Sequence, residues 1–168
     1  MNRIVVYTSK TGFTATYAKW IAQELDCPVK ELKEMDVTSL QEYEQVICGG
    51  WLMGGMISGL DKIKSVPIKN LVIFATGMSA PSETVLEIIA GQNKITLDNV
   101  FYFEGGYAPE KVGFFGRIMI KMVVASVRKK EEKTQEELRM LETAKGADRT
   151  RKEAIIPLVE YVRKSEAE

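Results

Sequence analysis

The chain has 168 residues with 23 basic and 23 acidic side chains, so its formal net charge is zero. This length can bury the core of one domain, and we expect residues 1–168 to form a single domain. The chain contains no histidine, which excludes Ser-His-Asp and Cys-His catalysis and disfavours a catalytic zinc centre, so no metal site is predicted. The sequence shows neither a signal peptide nor a spanning helix, and its cysteines are far apart. These features predict a cytoplasmic protein.

Strands and helices are predicted to alternate over the first two thirds of the chain. The predicted strands are Arg3 to Thr8, Pro28 to Leu32, Glu44 to Cys48, Asn70 to Thr76 and Asn99 to Phe103. Helical spacing of apolar residues is found in Thr14 to Leu25, Gly59 to Lys64, and from Ser82, the predicted N-cap, to about Gly91. This alternation predicts a doubly wound α/β fold. Helices would cover both faces of a five-stranded parallel sheet of order 2-1-3-4-5, in three layers.

The loop after the first strand has the composition of an anion-binding loop. Ser9, Thr11 and Thr14 carry hydroxyl groups, Gly12 allows close approach of the backbone, and a helix begins where the loop ends. In a sheet of this order the ligand site lies outside the carboxyl ends of strands 1 and 3. We therefore predict that a phosphate binds at Ser9, Lys10, Thr11, Gly12, Phe13 and Thr14. The alternative is a helix cap without a ligand, since such turns often precede helices.

The segment from Val5 to Ile21, VVYTSKTGFTATYAKWI, resembles the flavodoxin signature, and its core S-x-T-G-x-T is Ser9 to Thr14 here. The resemblance implies that the phosphate belongs to FMN. It also implies that the loops after the third and fourth strands border the flavin ring, with a peptide at Gly54 and Gly55 free to reorient. The implied ring-binding residues are Trp51, Leu52, Met53, Gly54, Gly55, Thr76, Gly77 and Met78. Ordinary packing, or a surface for a partner, is the alternative for Trp51 and the methionines.

An extra basic and charged helical segment occupies about 111–150. Its first part, Lys111 to Lys130, holds six basic residues and no acidic one, and Val112 to Val127 is strongly apolar. On a helix, Arg117, Lys121 and Arg128 form one narrow stripe. We expect this helix to cover the core with its charges reaching solvent. The alternative is contact of residues 111–130 with a quinone or with the inner face of an anionic membrane. Binding of nucleic acid is not expected. A last helix is predicted over Arg151 to Lys164, with Pro157 in its first turn or kinking it.

Gly105-Gly106-Tyr107 followed by Phe114 to Ser126 is similar to the bacterial flavodoxin-type protoporphyrinogen IX dehydrogenases. This similarity implies an FMN-dependent oxidoreductase with a redox partner protein, a quinone or a porphyrinogen-type substrate. Tyr107 and Glu110 are candidate catalytic residues because they follow the fifth strand. The alternatives are a mobile single-electron carrier and a flavin-free interaction module. Carrier flavodoxins are typically acidic, and the neutral charge of this chain favours the oxidoreductase.

Overall fold

A computed structural model describes residues 1–165. The strands are β1 (Arg3–Tyr7), β2 (Val29–Glu31), β3 (Gln45–Met53), β4 (Met56–Ile57), β5 (Asn70–Gly77), β6 (Val100–Glu104), β7 (Gly106–Tyr107) and β8 (Ala147–Asp148). The α-helices are α1 (Phe13–Leu25), α2 (Leu60–Lys64), α3 (Glu83–Asn93), α4 (Phe114–Arg128), α5 (Gln135–Thr143) and α6 (Ile156–Lys164). Short 3₁₀ helices cover Leu32–Glu34, Val37–Glu42 and Lys152–Ile155.

Five strands form a parallel sheet of order β2-β1-β3-β5-β6, which confirms the predicted fold class and strand order. In the β1–β3 pair, Tyr7 lies opposite Gly49, and in the β3–β5 pair, Trp51 lies opposite Thr76. Parallel pairing brings the carboxyl ends of β1, β3 and β5 to one edge of the sheet. The loops that follow these strands therefore meet at that edge, where a doubly wound sheet binds its ligand.

Helices cover the sheet on both faces because alternate strand residues point in opposite directions. Ile4 and Val6 pack toward α2 and α3, whereas Val5 packs toward α1 and α6. Ser82 caps α3 as predicted, accepting a hydrogen bond from the N–H of Val85. Pro157 lies in the first turn of α6, where its missing N–H would have no partner within the helix.

The segment after the third predicted strand is a hairpin rather than an open loop. Strand β3 continues to Met53, turns through Gly54 and Gly55, and pairs with β4 in antiparallel register. Both glycines have positive φ, 57° and 86°, as a tight hairpin turn requires. Gly50 allows the return of the chain, since a Cβ atom there would lie 2.4 Å from the carbonyl oxygen of Ser58.

The expectation that the basic helix covers the core is wrong for most of α4. Of its residues only Val127 is buried, while Phe115 is 81% exposed and Met122 is 67% exposed. The physical reason is that both faces of the sheet are already covered by the other helices. Helix α4 instead packs on α5, which begins with a capping box between Thr134 and Glu137. Within residues 1–165, no helix is both long enough and apolar enough to cross a bilayer.

Candidate FMN site

The loop between β1 and α1 is organised by the hydroxyl group of Ser9. Its Oγ accepts a hydrogen bond from the N–H of Gly12 at 3.1 Å and a longer one from Ala15 at 3.4 Å. Gly12 has φ 101°, a left-handed conformation that strains other residues. The loop is therefore folded back on itself, with the hydroxyl hydrogen of Ser9 free to donate elsewhere.

The first turn of α1 concentrates positive potential. Gly12 has no side chain with which to cap the helix, so the first N–H groups of α1, at Phe13 and Thr14, can bind an anion. The side-chain nitrogen of Lys111 approaches from the extra segment, 4.0 Å from the point that a Cβ atom on Gly12 would occupy. The partial positive charge at the start of α1 and the ammonium group of Lys111 thus both favour binding of an anion.

Thr14 connects the phosphate loop to the end of β5. Its hydroxyl group lies 2.7 Å from that of Thr76, and both side chains are buried. The Thr8 hydroxyl donates to the carbonyl oxygen of Ser58. Ser9 and Thr11, both half-buried, are thus the loop hydroxyl groups nearest to solvent, and the Thr14 hydroxyl already has a protein partner.

Trp51 lies beside the phosphate loop. The Lys10 nitrogen is 5.4 Å from the centroid of its ring, and the Trp51 side chain is half-buried. Leu52 reaches toward Gly77, where a Cβ atom would lie 3.4 Å from a Leu52 methyl carbon. The structure therefore brings Lys10, Trp51 and Gly77 to one edge of the sheet, and their contact with a flavin stays a prediction.

The tip of the hairpin turns toward α3. Asn93 of α3 accepts a hydrogen bond from the N–H of Ile57 at 2.9 Å and donates one to the carbonyl oxygen of Gly55 at 2.8 Å. Met53 is 58% exposed, so it is not packed against the protein. The predicted reorientation at Gly54 and Gly55 must therefore take place beside a carbonyl group that α3 already holds.

The loop after β5 is held by Tyr102, which the sequence analysis did not single out. The Tyr102 hydroxyl donates to the carbonyl oxygen of Ser79 at 2.8 Å, and burial raises the pKa of this phenol. A Cβ atom on Gly77 would lie 2.8 Å from the same hydroxyl oxygen, so Gly77 lets the loop pass close to Tyr102. Met78 follows in this loop and is half-buried.

The sequence profile of the flavodoxin domain family matches residues 4–135, most of the chain. The chain belongs to the flavodoxin domain family. Membership confirms the flavodoxin resemblance and supports the FMN cofactor predicted from Ser9 to Thr14. No curated protein matches the chain.

Solved structures of flavodoxins are similar to this flavodoxin domain at low sequence identity. Flavodoxin 2 from Bacillus cereus is 18% identical, with a TM-score of 0.46 over 86% of this chain and 95% of that chain. Flavodoxin 1 from the same organism is 13% identical, with a TM-score of 0.44 over 66% and 89%. A flavoprotein in complex with FMN from Lactobacillus acidophilus NCFM is 14% identical, with a TM-score of 0.41 over 61% and 90%.

The phosphate group of FMN fits the loop of this flavodoxin domain. The space beside Gly12 is open. A Cβ atom on Gly12 would lie no closer than 4.0 Å to its nearest neighbour, the side-chain nitrogen of Lys111. The Ser9 hydroxyl, the N–H of Phe13 at the start of α1 and the Lys111 ammonium group lie beside that opening, and donors of these three kinds bind phosphate. Ser9, Phe13 and Lys111 would hold the phosphate beside the open backbone of Gly12, and Trp51 would pack against the flavin.

Glu104 is a buried charged residue at the site edge of the sheet that the sequence analysis missed. It ends β6, is 4% exposed, and accepts two hydrogen bonds from Arg139 of α5, at 2.6 and 3.1 Å. Arg149 lies 3.5 Å from the same carboxylate. A charged residue at the end of a buried strand needs a cation, and that was the signal available in the sequence. In this flavodoxin domain, the ion pairs of Glu104 with Arg139 and Arg149 thus hold the extra segment against the edge of the sheet where the site lies.

The two candidate catalytic residues occupy different environments. Tyr107 is buried in the β7–β8 pair and lines a groove of about 680 Å³ between α4 and α5. Glu110 is exposed, in the turn that carries Lys111. The structure brings Lys111, rather than Glu110, to the phosphate loop, and a catalytic role for Tyr107 or Glu110 stays a prediction.

Proposed function

We propose that this flavodoxin domain is an FMN-dependent oxidoreductase. The observation that carries the proposal is the position of Lys111, which belongs to the extra segment and reaches the phosphate loop at Gly12. The extra segment therefore contributes to the cofactor site. A minimal electron carrier has no need of it. FMN bound there supplies a ring that exchanges a hydride or single electrons with other molecules.

The protein's own residues bind and orient in this proposal. Ser9 and Phe13 would hold the phosphate end beside Gly12, and Lys111 would add a compensating charge. Trp51, held beside Lys10, supplies an aromatic face at the ring end of the site. The Tyr102 hydrogen bond to Ser79 keeps the loop after β5 in place for backbone contacts.

The sequence similarity also suggests a substrate class for the proposed oxidoreductase. The similarity of Gly105 to Tyr107 and of Phe114 to Ser126 to flavodoxin-type protoporphyrinogen IX dehydrogenases makes a porphyrinogen the first substrate to test. A quinone is the corresponding first acceptor.

A mobile electron carrier is the second candidate function. It is favoured by the methionines at the hairpin tip, since Met53 is 58% exposed and Met56 is 39% exposed. Exposed methionines adapt to different partner surfaces. In this alternative the hairpin would contact a redox partner protein, and no organic substrate would be turned over.

The test compares the purified full-length chain with and without FMN. Retention of a flavin absorption spectrum after desalting is expected, and its absence would contradict the cofactor assignment. The FMN-loaded protein is then given protoporphyrinogen and a water-soluble quinone under anaerobic conditions, with porphyrin fluorescence as the readout. FMN-dependent porphyrin formation supports the oxidoreductase. Rapid reduction by a flavodoxin reductase without porphyrin formation supports the carrier.

A further inference from the structure

Helix α4 presents a wide apolar surface to solvent. At 100° per residue, its exposed apolar side chains span about half of the helix circumference. They are Phe114, Phe115, Ile118, Met119, Met122 and Val123, and their exposed fractions run from 39% to 81%. We call this set the α4 apolar face. Contiguous exposed apolar surface of this kind marks an interaction site.

The protein itself does not cover this face. Ile120, Val124 and Val127 lie on the opposite side of α4, and the first two line the groove shared with α5. The two faces of the sheet are covered by α1, α2, α3 and α6. The α4 apolar face is thus directed away from every layer of the fold that the structure describes.

A basic border runs along one side of the α4 apolar face. Arg117, Lys121 and Arg128 lie within about 40° of one another on the helix and adjoin the apolar half. All three side chains are exposed, and acidic residues begin only at Glu131, after the helix has ended. An apolar half with a purely cationic border is the arrangement of a helix lying in the plane of an anionic lipid surface.

We propose that α4 docks on an anionic membrane surface through the α4 apolar face. The apolar side chains enter the boundary between headgroups and acyl chains, and the basic border contacts lipid phosphates. A second copy of the chain is a poorer occupant, because α4 carries no acidic residue that could pair with the cationic border of the other copy. Docking does not require FMN, so it stands independently of the proposed function.

The docked helix also lies close to the cofactor site. Phe114 follows Lys111 by three residues, and Lys111 reaches the phosphate loop. Membrane contact along α4 would therefore bring the phosphate-loop end of the sheet edge near the lipid surface. This position is suited to an acceptor or a substrate that partitions into lipid.

The test is co-sedimentation of the full chain with vesicles of phosphatidylcholine, with and without phosphatidylglycerol. The protein is expected to sediment with the anionic vesicles and much less with pure phosphatidylcholine. Phe115→Ser/Met122→Ser is expected to lower the partition coefficient at least about tenfold, since each side chain loses its apolar transfer. Arg117→Glu/Lys121→Glu is expected to abolish the preference for anionic lipid.

Matched controls change equivalent residues elsewhere. Leu97→Ser removes an apolar side chain that is 45% exposed, and Lys62→Glu/Lys69→Glu reverses two exposed charges outside α4. Both controls should sediment like the unmodified protein, with unchanged far-ultraviolet circular dichroism in every variant. The proposal is overturned if the unmodified protein stays in the supernatant. It is also overturned if Phe115→Ser/Met122→Ser sediments normally, or if light scattering shows a dimer that this variant dissociates.

Discussion

The side-chain nitrogen of Lys111 lies 4.0 Å from the point that a Cβ atom on Gly12 would occupy, although the two residues are distant in sequence. A hydrogen bond from the N–H of Lys111 to the carbonyl oxygen of Ala108 closes the turn that places it there. The preceding strand β7 is held by β8, which lies beyond α5. The ammonium group at the phosphate loop thus depends on the whole extra segment.

Lys111→Gln is expected to weaken FMN binding about fivefold, a modest effect because the lysine is exposed and screened by solvent. Riboflavin, which lacks the phosphate, should bind the variant and the unmodified protein equally. Titration calorimetry with both flavins measures this difference, and Lys62→Gln is the matched control. An equal loss for FMN and riboflavin would show that Lys111 acts on the fold and not on the phosphate.

The buried hydroxyl pair of Thr14 and Thr76 predicts coupled stability. Thr14→Val leaves the Thr76 hydroxyl without this partner and should lower the free energy of unfolding by about 1–3 kcal/mol. The double variant with Thr76→Val should cost less than the sum of the single variants, because no hydroxyl is then left buried alone. Urea unfolding of the flavin-free protein measures the cycle, and strict additivity would argue against the bond.

The Thr14→Val variant also tests the predicted contact of Thr14 with phosphate. Thr14→Val should weaken FMN binding by roughly tenfold or more if its hydroxyl reaches the phosphate as well as Thr76. Riboflavin, which lacks the phosphate, is the matched control ligand, and its affinity should fall much less than that of FMN. Equal losses for FMN and riboflavin would remove Thr14 from the phosphate site.

The Glu104–Arg139 pair is expected to stabilise the extra segment. Arg139→Gln should lower the free energy of unfolding by about 2 kcal/mol, because it leaves a buried carboxylate with Arg149 as its remaining cation. Arg128→Gln, at an exposed position of α4, should change it by less than about 0.5 kcal/mol. Urea denaturation measures both variants. Equal stabilities would mean that Arg149 alone compensates Glu104.

Gly50 and Gly91 predict opposite effects of one added methyl group. Gly50→Ala should destabilise by about 3 kcal/mol, since its Cβ would lie 2.4 Å from a backbone oxygen. Gly91→Ala, within α3 and facing open space, should stabilise by about 0.5–1 kcal/mol through helix propensity. Thermal unfolding followed by circular dichroism checks both signs. A neutral Gly50→Ala variant would contradict the close hairpin return.

Cys48 predicts a loss of stability in alkaline solution. Burial raises the pKa of its thiol from 9.0 to about 12, so the thiol stays protonated in the folded chain and ionises on unfolding above pH 9. The stability gained from the protonated, buried thiol is fully present below pH 9. It falls as pH rises, by about 1.4 kcal/mol of unfolding free energy between pH 8 and pH 10. Urea unfolding at pH 8 and pH 10 measures this loss, which is expected in the unmodified protein and absent in Cys48→Ala. The same slope in both proteins would assign it to other groups.

Local features of the sequence were enough to predict the sheet order and the phosphate loop. Apolar runs such as Arg3 to Thr8 predict strands buried on both faces, and the spacing of apolar residues in Thr14 to Leu25 predicts a helix. Ser9, Gly12 and the start of α1 are neighbours along the chain, so their joint role does not depend on distant contacts. For the same reason Ser82 and Pro157 were assigned correctly.

Only the tertiary structure decided which face of α4 is exposed, which residues pair with Glu104, and that the chain after β3 returns as a hairpin. An amphipathic helix pattern is the same whether its apolar face meets a sheet or solvent, and here other helices already occupy both sheet faces. The pairing of Glu104 with Arg139 and the position of Lys111 at Gly12 join residues far apart in sequence, and no local period encodes such contacts. The return of the chain at Gly50 likewise depends on space beside Ser58, which exists only after the sheet has formed.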